Sequence, residues 1–164
     1  MNLPSSEGYR LPDLLANIRP NEGWLGVLQY LLENPPEWWD LHHDGFFDEA
    51  ASVLVAEWLR QHPAVVTPYV LGLLERPSLR HHGTAVLYVY LARGRYELPA
   101  AFSTSLSDLV DHVGTMREEE ASNLAAALDA LGTDEARKLL LRVQRDLPTG
   151  YDEAAKDLEI YLSA

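Results

Sequence analysis

The sequence predicts an all-α protein, an α-solenoid of about three helical hairpins with an N-terminal helical cap and a C-terminal capping helix. Three observations predict it. Apolar residues recur at i, i+3, i+4 and i+7 along much of the chain. Pro and Gly interrupt that pattern at short intervals, as helix starts and stops. A short motif also returns at spacings of 34, 36 and 34 residues, a period typical of stacked helical pairs.

The elements follow in order. Pro12 begins a short helix that ends before Pro20, and Asn21 caps a helix from Glu22 to Asn34. Pro35-Pro36 forces an extended entry into Glu37-Trp38-Trp39-Asp40-Leu41-His42-His43-Asp44-Gly45-Phe46-Phe47. Asp48 to His62 carries the stripe Ala51, Leu54, Val55, Trp58 and Leu59. Pro63 suits the first position of the next helix, which Pro77 ends, with Pro68 in its first turn or at a kink. Ser78 is placed to cap a helix from Leu79 to Arg93, stopped by Gly94. Within it, Ala85 to Tyr90 (AVLYVY) has a strand-like composition, but its neighbours and its place in the repeat assign it to helix.

Pro99 opens a helix that runs to about Val113, with Gly114 as its stop. Glu118 to Leu131 is closed by Gly132. Thr133 caps Asp134 to Leu147, where acids lead and Arg142 and Arg145 trail, matching the helix dipole. Pro148 and Gly150 break the chain before the last helix, Tyr151 to Leu162. The domain reading is one unit over 1–164. Residues 1–45 form the cap and Trp/acid-rich loop, 46–147 the three hairpins, and 148–164 the capping helix.

The repeat is carried by Ala51-x-x-Leu54, Ala85-x-x-Tyr88, Ala121-x-x-Leu124 and Ala155-x-x-Leu158. Trp58, Ala92, Leu128 and Leu162 lie seven residues after each Ala, and Asp48, His82, Glu118 and Asp152 three before. A small Ala lets two helices approach closely while the larger residue fills the groove. Within it, Ala127-Leu128-Asp129-Ala130-Leu131-Gly132 and Thr133-Asp134-Glu135-Ala136 close one helix and open the next. The stretch Glu118 to Val143 resembles the HEAT-like repeat of the phycobilisome-lyase type. The repeats from Asp48 and His82 share only its period. The tetratricopeptide repeat has a similar length, but its Trp, Leu-Gly and Tyr at fixed places in the first helix are missing here. Resemblance to HEAT-like proteins implies a stacked, curved scaffold used for binding proteins, and transfers no catalytic residue.

Charge narrows the partner. The 164-residue chain has 13 basic and 25 acidic residues, a formal charge of −12. Such a surface repels nucleic-acid backbones and anionic membranes, so neither is an expected partner. Residues 1–45 carry 7 acids and 2 bases, 46–116 carry 7 and 5, and 117–164 carry 11 and 6, or −5, −2 and −5. There is no Cys, which removes disulfides, thiol nucleophiles and Cys-zinc sites and fits a cytoplasmic location. Residues 1–13 (MNLPSSEGYRLPD) do not read as a signal peptide. The bases are 11 Arg and 2 Lys, a bias associated with GC-rich bacterial genomes.

Catalytic patterns are weak. GxSxG, SxxK, GxxxxGK[ST] and GxGxxG do not occur. His42-His43-Asp44 and His81-His82 invite a metal reading, but adjacent histidines diverge by about 100° on a helix, so a pair rarely chelates one ion. One His of 81–82 is expected exposed and the other packed. Asp108 and His112 are i, i+4 neighbours, placed to hydrogen-bond on a helix surface. No metal and no cofactor is therefore expected.

The expected function is binding without catalysis. The second helices of the hairpins should form the concave face, with Asp108 and Asp111 on it. Trp38, Trp39, Asp40 and Asp44 form the other candidate contact set, an aromatic anchor beside acids. The expected partner is a basic protein. A small acidic bacterial protein of this kind suits the role of an immunity protein that neutralises a toxin through fast electrostatic association. A scaffold or adaptor subunit of a larger complex is the second reading. A metal-dependent enzyme using His42, His43 or Asp44 is the third.

Overall fold

The computed structural model describes residues 49–163. The expected N-terminal cap and the segment with Trp38, Trp39, Asp40, His42, His43 and Asp44 lie outside the described residues. Among the described residues there are seven α-helices and no strand. They are α1 Glu49–Gln61, α2 Pro63–Glu75, α3 Arg80–Leu87, α4 Phe102–Asp111, α5 Glu118–Leu131, α6 Asp134–Asp146 and α7 Asp152–Ser163. A π-helical turn, Tyr88–Arg93, extends α3, and a 3₁₀ turn, Val113–Thr115, follows α4.

Helix α1 buries Val55, Trp58 and Leu59 and keeps Glu57, Arg60 and Gln61 toward water. There Arg60 pairs with Glu57, and Gln61 Nε2 donates to Glu57 Oε1 at 2.9 Å. That i, i+3 and i, i+4 spacing is one helical turn. Pro63 occupies the first turn of α2, where a missing N–H costs nothing. The helix continues through Pro68, which forfeits one i→i−4 bond. It stops before Arg76, whose extended φ of −100° and ψ of 117° is the conformation that Pro77 imposes on its predecessor.

Two expected signals act differently in the fold. Ser78 does not cap α3: the preceding residue of the helix is Leu79, and no side chain caps there. The chain instead enters through a turn in which Leu79 N–H reaches the Arg76 carbonyl at 2.9 Å. Nor does Gly94 supply the left-handed residue after Arg93. Its φ is −82°, and Arg95 takes the positive φ of 57°. Gly94 is needed for room, since a Cβ there would lie 2.6 Å from the Tyr96 ring and 2.9 Å from the Tyr90 carbonyl. The AVLYVY run is helical, as expected, but its second half widens into the π turn.

Pro99 begins a turn rather than a helix. Phe102 N–H bonds the Pro99 carbonyl at 3.1 Å, and α4 starts only at Phe102. Gly114 likewise sits inside the 3₁₀ turn and does not end α4, which stops at Asp111. The α5–α6 hairpin follows its signals closely. Gly132 closes α5 with φ of 64°, and Thr133 Oγ1 accepts from Ala136 N–H at 3.1 Å at the start of α6.

The packing order is regular. Helices α1, α3, α5 and α7 touch in succession, and so do α2, α4 and α6. Between the two sets lies one core that includes Trp58, Leu59, Leu87, Phe102, Met116, Leu124, Leu128 and Leu158. Ala121, Ala125 and Ala127 are fully buried on α5, which lets its neighbours close in. Gly83 does the same between α2 and α3, where a Cβ would meet Leu74 Cδ2 at 2.7 Å. Helix α7 is tied at both ends. Glu118 accepts from Ala154 N–H at 3.5 Å, Tyr151 Oη donates to the Met116 carbonyl at 2.5 Å, and Arg137 Nη2 donates to the Leu162 carbonyl at 2.9 Å.

Candidate functional site

Of the expected contact residues, Asp108 and Asp111 are within the described residues. Both are exposed on α4, one helical turn apart. Asp111 pairs with Arg142 of α6, so its charge is compensated by a neighbouring helix. Asp108 lines a cavity of about 270 Å³ with Glu75, Arg80 and His112. The expected Asp108–His112 contact forms through the backbone, not the carboxylate. His112 Nδ1 lies 2.8 Å from the Asp108 carbonyl oxygen, which can only accept, so Nδ1 carries the proton. His82 is buried and His81 half-buried beside it, their ring centroids 3.7 Å apart. The expectation of an exposed member of this pair is therefore corrected.

The acidic surface lies elsewhere. Helices α5 and α7, which touch, carry Glu118, Glu119, Glu120, Asp129, Asp152, Glu153, Asp157 and Glu159 against the single base Lys156. Of these, Glu120 is buried, while Glu119, Asp129, Asp152, Glu153 and Glu159 are exposed. Helix α6 is different, with Arg137, Lys138, Arg142 and Arg145 against Asp134, Glu135 and Asp146. The −5 of the C-terminal third is thus concentrated on two adjacent helices of the first set. The helical dipole explains acids at the first turns of α5 and α7, but not Asp129, Asp157 and Glu159 further along.

Beside this surface is a groove of about 510 Å³. The end of the π turn, the start of α4, the end of α5 and the start of α6 enclose it. Leu91, Leu98, Leu106, Leu128, Leu131 and Leu139 form an apolar lining, with Arg95, Glu97 and Glu135 among the polar lining residues. The segment that shapes it is unusual. Arg95 adopts a left-handed φ that a non-Gly residue seldom takes, next to a π turn, and both features concentrate at functional sites. The conformation is held by Tyr96 N–H to the Tyr90 carbonyl at 3.2 Å and by Tyr90 Oη donating to the Glu97 carbonyl at 2.7 Å. Arg60 stands 5.5 Å from the centre of the Tyr96 ring, a cation–π contact. Burial pushes the Tyr90 phenol above the ordinary tyrosine range.

No single residue type in the sequence marked this groove. Its lining comes from four segments between Leu91 and Leu139, and only their packing brings the leucines together. Among the described residues, no helix is long and apolar enough to cross a membrane. No family model, curated protein or solved structure matches the chain.

Proposed function

We propose that the chain is a non-enzymatic protein-binding module, a HEAT-like α-solenoid whose acidic α5–α7 surface takes a basic protein partner. The concentration of seven acids against one base on two touching helices, the buried Glu120 left out, carries this reading. A potential of one sign over a continuous surface steers an oppositely charged partner and raises its association rate. The successive contacts within α1, α3, α5, α7 and within α2, α4, α6 support the solenoid. A role of this kind is that of a bacterial immunity protein, which covers a basic toxin. The sequence places acidic contacts at Asp108 and Asp111 and, beside Trp38 and Trp39, at Asp40 and Asp44; the pairing of Asp111 with Arg142 moves the proposal to α5 and α7.

The test is co-expression with basic proteins encoded beside this one, scoring rescue from toxicity. It is followed by binding measured with the purified pair at rising salt. Rescue and a steep loss of affinity with salt are expected. Binding that salt does not weaken would remove the electrostatic reading. The groove favours a second reading, a scaffold or adaptor subunit, because its leucine lining can seat an apolar side chain of a partner. That reading expects salt-insensitive association lost on Leu139→Glu.

A further inference from the structure

The leucine groove carries more than an apolar lining. Its volume of about 510 Å³ lies in the range of small-molecule sites. Two charged residues of its lining, Arg95 and Glu97, stand two positions apart on the segment after the π turn, and both are exposed. They have opposite signs, yet no ion pair joins them, and neither has an ion-pair partner among the described residues. The third charged residue of the lining, Glu135, lies 3.6 Å from Lys138 of its own helix. One guanidinium and one carboxylate thus remain at the groove beside its leucines.

Arg95 is held against its own conformational preference. A φ of 57° is disfavoured for a residue with a Cβ. Gly94 stands next to it and would take that φ without strain, but its φ is −82°. The bonds from Tyr96 N–H to the Tyr90 carbonyl and from Tyr90 Oη to the Glu97 carbonyl fix the strained residue between them. Strain kept at a residue whose side chain has no partner in the protein points to a partner outside it. The charges say which kind. An ion of one sign would be attracted by one of the two groups and repelled by the other. A ligand of both signs satisfies both, its carboxylate on the guanidinium fork and its ammonium on the carboxylate.

We propose that the groove binds the zwitterion of an apolar α-amino acid of leucine or phenylalanine size. Arg95 takes its carboxylate, Glu97 takes its ammonium, and its side chain lies among the leucines of the lining. This ligand requires no protein partner, so the site stands or falls independently of the acidic surface.

The test is a backbone amide NMR titration of the full chain with L-leucine and, separately, L-phenylalanine. Saturable shifts confined to residues 91–106 and 128–139 are expected. Three analogues of leucine, each lacking one part, run beside them: 4-methylpentanoate has no ammonium, 3-methylbutylamine no carboxylate, and glycine no apolar side chain. Each should bind at least about tenfold more weakly. Arg95→Gly removes the guanidinium and suits the left-handed φ, so leucine affinity should fall about tenfold while the melting temperature holds or rises. Glu97→Gln, at an exposed position, should weaken leucine similarly but leave 4-methylpentanoate no weaker. The absence of saturable shifts with either amino acid overturns the proposal, as do shifts that scatter over the surface. An analogue that binds as tightly as leucine also overturns it, since the groove would then seat a plain amphiphile or a partner's side chain. So does undiminished leucine affinity in both variants. If Arg95→Gly fails to fold, Glu97→Gln decides alone.

Discussion

Arg80 and Glu120 meet in the interior, Nε to Oε2 at 3.0 Å, with side chains 7% and 3% exposed, from positions 40 residues apart. The pair joins the start of α3 to the first turn of α5. Taking either charge out of water is costly, and each partner offsets that cost for the other. Glu120→Ala should therefore strand Arg80 and lower stability by about 3–5 kcal/mol. The paired replacement Arg80→Met with Glu120→Leu should recover most of that loss. Denaturant melts of the three proteins check it, and equal damage in single and double variants would refute the charge-stranding account.

Gly83 predicts a steric effect of similar kind. Its added Cβ would lie 2.7 Å from Leu74 Cδ2 and 3.2 Å from Leu73 Cβ. Gly83→Ala raises helix propensity, which taken alone stabilises by up to about 1 kcal/mol. Crowding between α2 and α3 should win, for a net loss of about 1–2 kcal/mol. A rise in melting temperature would show that the two helices part freely.

The α5–α6 turn gives a calibrating pair. Thr133→Ala removes the hydroxyl that receives Ala136 N–H and should cost about 1 kcal/mol. Gly132→Ala forces a Cβ into a φ of 64° and should cost a similar ~1 kcal/mol, because the left-handed region disfavours side chains. Thermal melts of each variant measure these losses.

Tyr90 predicts alkaline sensitivity. Burial raises its folded pKa above the unfolded value of about 10, so the folded state holds the phenol proton more tightly. The stabilisation is complete below the unfolded pKa and is lost as pH rises through the folded one. Tyr90→Phe should remove the bond to the Glu97 carbonyl, cost about 1 kcal/mol at neutral pH, and flatten the alkaline decline. Stability measured from pH 8 to 11 in both proteins checks this. An unchanged slope would assign the decline to other tyrosines, of which Tyr161 is also raised by burial.

The proposed binding surface makes its own prediction. Reversing Asp152, Glu153 and Glu159 to Lys leaves the buried Ala154 and Leu158 of α7 in place, so folding should persist. Affinity for a basic partner should fall at least tenfold, ~1.4 kcal/mol, mainly through slower association. Stopped-flow binding of wild type and variant measures it; an unchanged association rate would place the contacts elsewhere.

Particular residues show where sequence reading succeeds. Thr133, Gly132 and Pro63 act within one turn of themselves, so local rules placed them correctly. Ser78, Pro99 and Gly114 carry the same signals but lie where longer connections intervene, and the fold used them as turn residues instead. Asp111 was legible as an exposed acid. Its partner Arg142, 31 residues on, was not, because ion pairs between helices depend on which faces meet. The leucine groove was invisible for the same reason.

The sequence by itself determined the all-α character and the acidity of the C-terminal third, since propensity and charge are properties of neighbours along the chain. Only the tertiary structure decided which acids stand exposed and which pair with a base across the fold. Those outcomes depend on contacts between residues tens of positions apart. Burial and electrostatics act through space, and the chain order carries no record of the distances over which they act.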